Sequence, residues 1–265
     1  MELQFAPKDL EKWAHFSGDY NPIHFDEEVA VKEFGLDGVI AHGMLALLPL
    51  KDFAARTIWE TSGWIQWQAQ LKRALPIKHS YAASLVQRPA GGILRFGLAE
   101  NGSPEKSISG ICSPVDFDTS IYAQGPRFEV SPANLGEKLD EFRAGYPGIE
   151  ALWIFLDALI FSEYMTRHAR TMFQEELFEH YGIDSRSQDI SRELIVMQTT
   201  HMVTATPSLM RRPLAETPRE IAYDAQKKGR VVTKDAVFAL VDLPVWIDGK
   251  LELVAEMGVM ARRRA

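Results

Sequence analysis

One apolar segment and the alternating segments after it constrain the fold most. Residues 44–59 are apolar nearly all round in their first half, which predicts a buried central helix. Pro49 lies inside this run and should bend the helix, because it removes a backbone hydrogen bond. Strand-like runs follow at 64–73, 79–88, 93–100 and 106–115, the first alternating polar and apolar residues. A buried helix wrapped by an antiparallel meander gives each element one buried face.

The chain before this helix predicts three shorter elements. Residues 1–5 favour a short strand, and Pro7 can open a helix whose apolar residues recur to Phe16. A second short helix is predicted at 27–34, and Gly35 ends it. The chain between these two helices contains Gly18 and Asn21-Pro22, so we expect an irregular loop there.

The same order of elements recurs after residue 149. A long helical pattern at 149–181 ends at Gly182, and strand-like runs follow at 193–206, 220–234 and 236–247, the second with a break at Lys228-Gly229. Asp248-Gly249 is a strong hairpin signal before a last run at 250–262. Residues 116–147 show no clear period and contain several prolines and glycines. We therefore divide the chain into a first half at 1–120, a linker or crossover at 121–148, and a second half at 149–265.

Composition excludes several classes of function. The chain has 265 residues, 46% of them hydrophobic, and a formal net charge of -7, which argues against a partner bound mainly through nucleic-acid phosphates. Cys112 is the single cysteine, so an intrachain disulfide is excluded and a reducing compartment is favoured. The first residues do not resemble a signal peptide, and the apolar runs are too short or too charged to span a bilayer. We expect a soluble, cytoplasmic protein without a membrane partner.

The loop before the central helix holds the residues with the clearest chemical potential. Asp19 and His24 flank Asn21-Pro22, which cannot lie inside a regular helix, so both side chains can turn inward together. Gly43 lies where the central helix begins, and the unpaired N–H groups of a helix N-terminus favour an oxyanion. An acid, an imidazole and an oxyanion donor can move protons next to a thioester carbonyl. The spacing alone also permits an Asx-type turn at Asp19, a surface histidine and a steric role for Gly43.

This stretch resembles the hydratase signature of the MaoC-like, R-specific enoyl-CoA hydratases. The matching residues, in two blocks at the spacing of that family, are Phe16, Ser17, Gly18, Asp19, Asn21, Pro22, Ile23, His24, Asp26, Ala30, Gly35, Ile40, Ala41, His42, Gly43 and Met44. A looser pattern extends the resemblance to about residue 120. The second half contains neither block.

The resemblance implies an α+β double hotdog fold and a lyase. Its reaction is the addition of water to a trans-2-enoyl thioester of CoA or of an acyl-carrier protein, or the reverse dehydration of the (R)-3-hydroxyacyl thioester. Asp19 and His24 would hold the water as catalytic residues, with Asp19 the favoured base, and Gly43 would donate its N–H to the thioester oxygen. Asn21 and Pro22 would shape the loop. The second half would replace a partner hotdog along the acyl tunnel, and two such chains would form a homodimer.

Two alternative functions remain open, together with structural interpretations of several histidines. The chain could be a non-catalytic subunit that binds acyl thioesters, or a hotdog thioesterase. The resemblance implies no cofactor, and we expect no metal because the sequence has neither H-E-x-x-H nor a cysteine pair. His42 either caps the helix or packs, whereas His168 and His201 have no obvious partner and are interpreted as structural.

Overall fold

The computed structural model describes residues 1–57, 63–88, 92–184 and 194–263. The helices are α1 (Pro7–Ser17), α2 (Glu27–Phe34), α3 (Gly43–Ala55), α4 (Pro132–Gly145), α5 (Leu152–Arg167), α6 (Gln174–Tyr181) and α7 (Pro207–Arg211). The strands are β1 (Glu2–Gln4), β2 (Trp64–Leu71), β3 (Ser80–Arg88), β4 (Ile93–Glu100), β5 (Lys106–Val115), β6 (Phe128–Glu129), β7 (Leu194–Ala205), β8 (Ile221–Tyr223), β9 (Gln226–Val232), β10 (Ala236–Ile247) and β11 (Lys250–Arg263). Short 3₁₀ turns lie at Pro22–His24, Thr119–Tyr122 and Leu214–Glu216.

The strands form one antiparallel sheet that runs through both halves of the chain. Their order is β1-β3-β4-β5-β2-β7-β11-β10-β8-β6, and β9 also pairs with β10. Strands β2 and β7 join the halves, with a register that runs from Ile65 opposite Ala205 to Gln70 opposite Thr200. Each half contributes a central helix followed by a meander. The predicted double hotdog fold is confirmed.

The two central helices, α3 and α5, are buried in one core. Trp67 of β2 stacks on Phe96 of β4 with ring centroids 4.8 Å apart, and it contacts Trp153 of α5 at 6.4 Å. All three rings are almost completely buried. Pro49 lies inside α3, which continues through it to Ala55. The end of the predicted helix at Ile58 and Trp59 lies outside the described residues.

Most predicted elements of the meanders are found within a residue or two of their expected bounds. Strand β10 has the predicted bounds, and Asp248 and Gly249 connect it to β11 with φ values of 49° and 77°. Positive φ at both central residues is the conformation that such a hairpin turn requires. Residues 89–91, between the strands predicted at 79–88 and 93–100, and Glu193, the first residue of another predicted strand, lie outside the described part of the chain.

The predicted single helix at 149–181 is wrong. The structure has two helices there, α5 and α6, separated by a turn at residues 168–173. Residues 166–170 include Thr166, Arg167, His168 and Arg170, so no apolar face continues that a helix could bury. The apolar residues on both sides of this turn have helical spacing, which is why the sequence predicts one continuous helix.

The break predicted at Lys228-Gly229 lies a few residues earlier. Strand β8 ends at Tyr223 and β9 begins at Gln226. Between them the Asp224 carboxylate accepts hydrogen bonds from the backbone N–H of Ala225 at 2.8 Å and from Arg127 Nε at 2.6 Å. Such local bonds compete with the strand ladder. Opposite Lys228 the ladder shows only a change of register.

Residues 121–148 connect the two halves, but they are not irregular. They contain helix α4, which the Ser131 hydroxyl caps by accepting a hydrogen bond from the N–H of Asn134 at 3.2 Å. Pro132 occupies the first turn, where its missing N–H costs nothing. Leu135 and Phe142 are buried on one face. In the described part of the chain, we find no helix with the length and hydropathy needed to cross a bilayer.

Candidate active site

The loop that follows α1 is built by local hydrogen bonds. Gly18 ends the helix in the left-handed conformation with a φ of 76°. The Asp19 carboxylate accepts from the N–H of Asn21 at 3.3 Å, and the Asn21 side-chain oxygen accepts from the N–H of Ile23 at 3.4 Å. A single 3₁₀ turn then ends at His24. These bonds replace regular structure with a bend that places Asp19 and His24 on the same side.

His24 is held as a neutral ring, and among the described residues only its Nδ1 makes a hydrogen bond. Its Nδ1 lies 2.9 Å from the carbonyl oxygen of Ile40. Because a carbonyl oxygen can only accept, Nδ1 carries the hydrogen and Nε2 keeps its lone pair in the neutral ring. Burial lowers the pKa of His24 below 6.5, although the charge of Asp19 opposes this shift. The ring therefore presents a hydrogen-bond acceptor beside the Asp19 carboxylate.

His42 packs directly against His24. Their rings stack with centroids 3.7 Å apart and planes 27° apart. His42 Nε2 donates to the backbone carbonyl of Asp19 at 3.0 Å, and its Nδ1 has no hydrogen-bond partner among the described residues. Burial, assisted by His24, lowers the pKa of His42 to about 2. His42 is the N-cap residue of α3, but its side chain makes no capping bond. Of the two roles expected from the sequence, it packs.

The geometry of this group of side chains argues against a shared metal ion. Asp19, His24 and His42 each offer a ligand atom within 4.8 Å of the others, and one carboxylate with two imidazoles is a common ligand set for transition metals. However, a histidine binds a metal with a lone pair that lies in its ring plane. Two rings that stack almost in parallel cannot both point such lone pairs at one ion. The arrangement instead fits two neutral rings beside a carboxylate.

Gly43 begins α3 one residue after His42, and two side chains cover it. A Cβ at this position would overlap Leu71 and would lie 3.3 Å from Oε1 of Gln198. Since His42 makes no side-chain cap, the first N–H groups of the helix remain available for an anionic or carbonyl oxygen.

The second half and helix α4 both support the loop of the first half. The Asn21 side chain donates from Nδ2 to the carbonyl oxygen of Val196 in β7 at 2.8 Å. The carbonyl oxygen of Phe16 accepts from Ser162 at 2.9 Å and from Lys138 at 2.7 Å. Asn21 thus does more than bend its own loop, because it also ties that loop to the strand at the junction of the halves.

A chain of buried polar side chains, which the sequence did not reveal, ends at the same place. Lys51 of α3 pairs with Asp157 of α5, and the Asp157 carboxylate lies 2.9 Å from His201 Nε2. Gln198 Nε2 lies 3.2 Å from His201 Nδ1. His201 therefore has a charged partner, contrary to the sequence interpretation. The available signal was a charged residue within the apolar part of each of two helices, Lys51 in α3 and Asp157 in α5. His168, the other unassigned histidine, bonds to the Tyr223 hydroxyl at 3.1 Å.

His42 should make the protein sensitive to acid. Its pKa is about 2 when folded and about 6.5 when unfolded, so below pH 6.5 the unfolded chain binds more protons and the folded state loses stability. We expect a loss of about 1.4 kcal/mol per pH unit from this group. The free energy of urea unfolding at pH 7.5 and 5.5 measures this loss. His42→Gln should make that free energy less dependent on pH. His15→Gln, the same change at an exposed histidine, is the control; an equal reduction there would contradict the assignment.

Comparison with known proteins supports the fold and the family resemblance of the N-terminal region. Residues 1–49 match the family model of the MaoC like domain. A protein described as a MaoC-like dehydratase is 10% identical, with a TM-score of 0.50 over 100% of this chain and 96% of that chain. A conserved hypothetical protein of Mycobacterium tuberculosis with a double hotdog fold is 8% identical, with a TM-score of 0.53 over 98% and 94%. An acyl-CoA thioesterase II of Mycobacterium marinum is 11% identical, with a TM-score of 0.46 over 84% and 90%. No curated protein sequence matches this chain.

Proposed function

We propose that this MaoC-like double hotdog protein is a hydro-lyase that adds water to a trans-2-enoyl thioester, or removes it from the (R)-3-hydroxyacyl thioester. The observation that carries the proposal is the convergence of the Asp19 carboxylate and the His24 ring within 4.8 Å, in the part of the chain that matches the MaoC-like domain. The carrier of the acyl group is CoA or an acyl-carrier protein. A homodimer and a cytoplasmic location stay predictions.

The geometry suits a water held by two acceptors. One hydrogen of the water would bond to the Asp19 carboxylate and the other to the free Nε2 of His24. As the water oxygen bonds to C3 of the substrate, Asp19 removes one proton and the pair returns a proton to C2, so that water is added without loss or gain of electrons. His24 orients the water and assists the transfer. The thioester polarises the double bond, so the step requires no cofactor.

Gly43 would stabilise the charge that develops on the thioester oxygen. Its N–H lies at the positive end of α3, and the adjacent His42 is neutral and packs beside His24. Donors of this kind contribute about 2.7–4 kcal/mol each to the transition state in other enzymes.

A direct assay tests the proposed reaction. The purified protein is mixed with 2-butenoyl-CoA, and the loss of the enoyl absorbance and the release of free thiol are followed together. We expect loss of absorbance without thiol release, and a product that is the (R)-3-hydroxy isomer by chiral analysis. Thiol release with retention of the enoyl signal would support a thioesterase instead. Tight binding without either reaction would support a non-catalytic subunit.

The pH dependence of the reaction should follow His24. Its neutral form is needed to accept a hydrogen bond from water, and burial lowers its pKa below 6.5. We therefore expect kcat/KM to be constant at neutral pH and to fall only as the pH drops well below 6.5. Initial rates between pH 4.5 and 8, each measured after a check that the protein is folded, give this profile. An acid limb centred above pH 6.5 would contradict a neutral, buried His24.

A further inference from the structure

Four polar side chains form a hydrogen-bonded series from the middle of the core to the N-terminus of α3. Lys51 and Asp157, both fully buried, form the inner end, and His201, which is 1% exposed, follows. The last member, Gln198, is half-buried and also contacts Met44 Sδ at 3.6 Å and the carbonyl oxygen of Thr200 at 3.4 Å. This series of hydrogen-bonded side chains thus begins on the central helix of the first half, crosses to the second half and returns to the N-terminus of the same helix.

The charges in this chain fix the direction of each hydrogen bond. Burial alone would raise the pKa of Asp157, but His201 and Lys51 outweigh it and hold that pKa at about 2. The ionised carboxylate accepts the hydrogen on His201 Nε2, so His201 Nδ1 keeps its lone pair. Burial lowers the pKa of His201, which favours this neutral ring. Nδ1 can then only accept, and Gln198 donates to it from Nε2.

The side-chain oxygen of Gln198 is therefore directed away from His201. It lies 3.3 Å from the position of a Cβ on Gly43, at the head of α3. Two residues earlier in the same strand, the carbonyl oxygen of Val196 binds the Asn21 side chain. The second half, which lacks the sequence blocks of the first, thus places a fixed hydrogen-bond acceptor between the loop and the helix.

The stability of the fold does not explain why these polar side chains are buried together. Buried ion pairs cost desolvation energy that their attraction only partly offsets, and apolar residues of similar volume often stabilise as well or better. A core of this size could close over α3 and α5 without them. At the candidate site, these buried groups orient the Gln198 side chain and therefore its oxygen.

An acceptor at this position selects a particular kind of thioester. The acyl carbons near the reacting bond carry no N–H, and the thioester oxygen would take the amide of Gly43. The pantetheine arm that CoA and acyl-carrier proteins share, however, has an amide N–H two carbons beyond the sulfur. In the trans-2-enoyl thioester, this group is the nearest donor that the ligand can offer to a carboxamide oxygen beside Gly43.

We propose that Gln198 binds the first amide N–H of a pantetheine arm, and that Lys51, Asp157 and His201 are positioning residues that hold its oxygen toward that amide. The proposal rests on the proposed thioester chemistry and adds a specificity residue from the second half. It also assigns a role to a half that has no catalytic motif of its own.

Two small substrates that differ in one atom test this contact. The 2-butenoyl thioester of N-acetylcysteamine keeps the amide N–H, whereas the thioester of 2-acetoxyethanethiol has an ester oxygen in its place. We expect the wild type to prefer the amide by about tenfold in kcat/KM, the worth of one neutral hydrogen bond. Gln198→Leu should abolish that preference by lowering the rate with the amide substrate alone.

Matched variants separate binding from structure. Gln66→Leu is the same change at a half-buried glutamine of β2, whose Nε2 bonds to Thr204 at 3.2 Å, and it should keep the preference. His201→Phe should lose the preference because the carboxamide is freed to turn; if it does not fold, Gln198→Leu decides alone. An equal loss with both substrates in Gln198→Leu, or no preference in the wild type, would overturn the proposal.

The same measurements distinguish a failure of the Gln198 contact from a failure of the proposed reaction. If the wild type hydrates neither substrate and no CoA thioester, the reaction itself is wrong. If it hydrates both equally, the reaction stands and the role of Gln198 is wrong. CoA and acyl-carrier proteins contain the same amide. Rates measured side by side with 2-butenoyl-CoA and with the 2-butenoyl thioester of an acyl-carrier protein therefore show which carrier the protein uses.

Discussion

Asp19→Asn should lower kcat for the hydration of 2-butenoyl-CoA by about 10²- to 10⁴-fold, the usual contribution of a positioned acid or base. Asparagine keeps the shape of the side chain and can still accept the hydrogen bond from the N–H of Asn21, so the loop should survive. It cannot take a proton from water. KM should change little, because the carboxylate acts on the water and not on the acyl chain.

A matched substitution seven residues later controls for charge and loop structure. Asp26 caps α2 by accepting from the N–H of Val29 at 3.1 Å, and asparagine caps helices equally well. Asp26→Asn should therefore retain wild-type kcat and KM. If Asp19→Asn were as active as Asp26→Asn, the carboxylate would have no part in the reaction. Equal background rates in the wild type and both variants would favour the non-catalytic thioester-binding subunit.

The meanders could be predicted because their signals are local. Strand β10 is an almost continuous apolar run that ends at Asp248-Gly249, and this pair determines the turn by backbone conformation alone. The errors arose where a polar contact from elsewhere decides the structure. Asp224 interrupts a strand by binding Arg127, which is distant in sequence, and α4 depends on a serine cap and two buried residues among several glycines.

The candidate site divides in the same way. Asp19, His24 and Gly43 lie within residues 16–44, in the two blocks that resemble the hydratase signature, so the sequence predicts all three as site residues. The stacking of His42 on His24 depends on how the loop lies against the start of α3, and the approach of Gln198 to Gly43 depends on how the halves pack. Neither contact follows from the spacing of residues in the sequence. A charge inside an apolar helix is the exception, because such a residue needs a partner wherever the helix packs. Lys51 therefore predicts a buried acid, although not which one.

Lys51→Met should destabilise the protein by about 3–5 kcal/mol, the usual result of removing one member of a buried ion pair. Lys51 and Asp157 are both fully buried in the common core of the two central helices. Methionine fills a similar volume, so the loss would come from the Asp157 carboxylate, which keeps His201 as its remaining partner. The midpoint of urea unfolding measures the change.

Two further variants show whether the effect comes from the unpaired charge. Lys51→Met with Asp157→Leu removes both charges and should recover most of the lost stability, because apolar pairs of similar volume replace buried ion pairs at little cost. Lys32→Met breaks an exposed pair with Glu28 one turn away in α2 and should leave the midpoint unchanged. If the double variant were no more stable than Lys51→Met, the loss would arise from packing. The double variant should also lose the preference for amide-bearing thioesters, since nothing then fixes the hydrogen on His201 Nε2 or the orientation of Gln198.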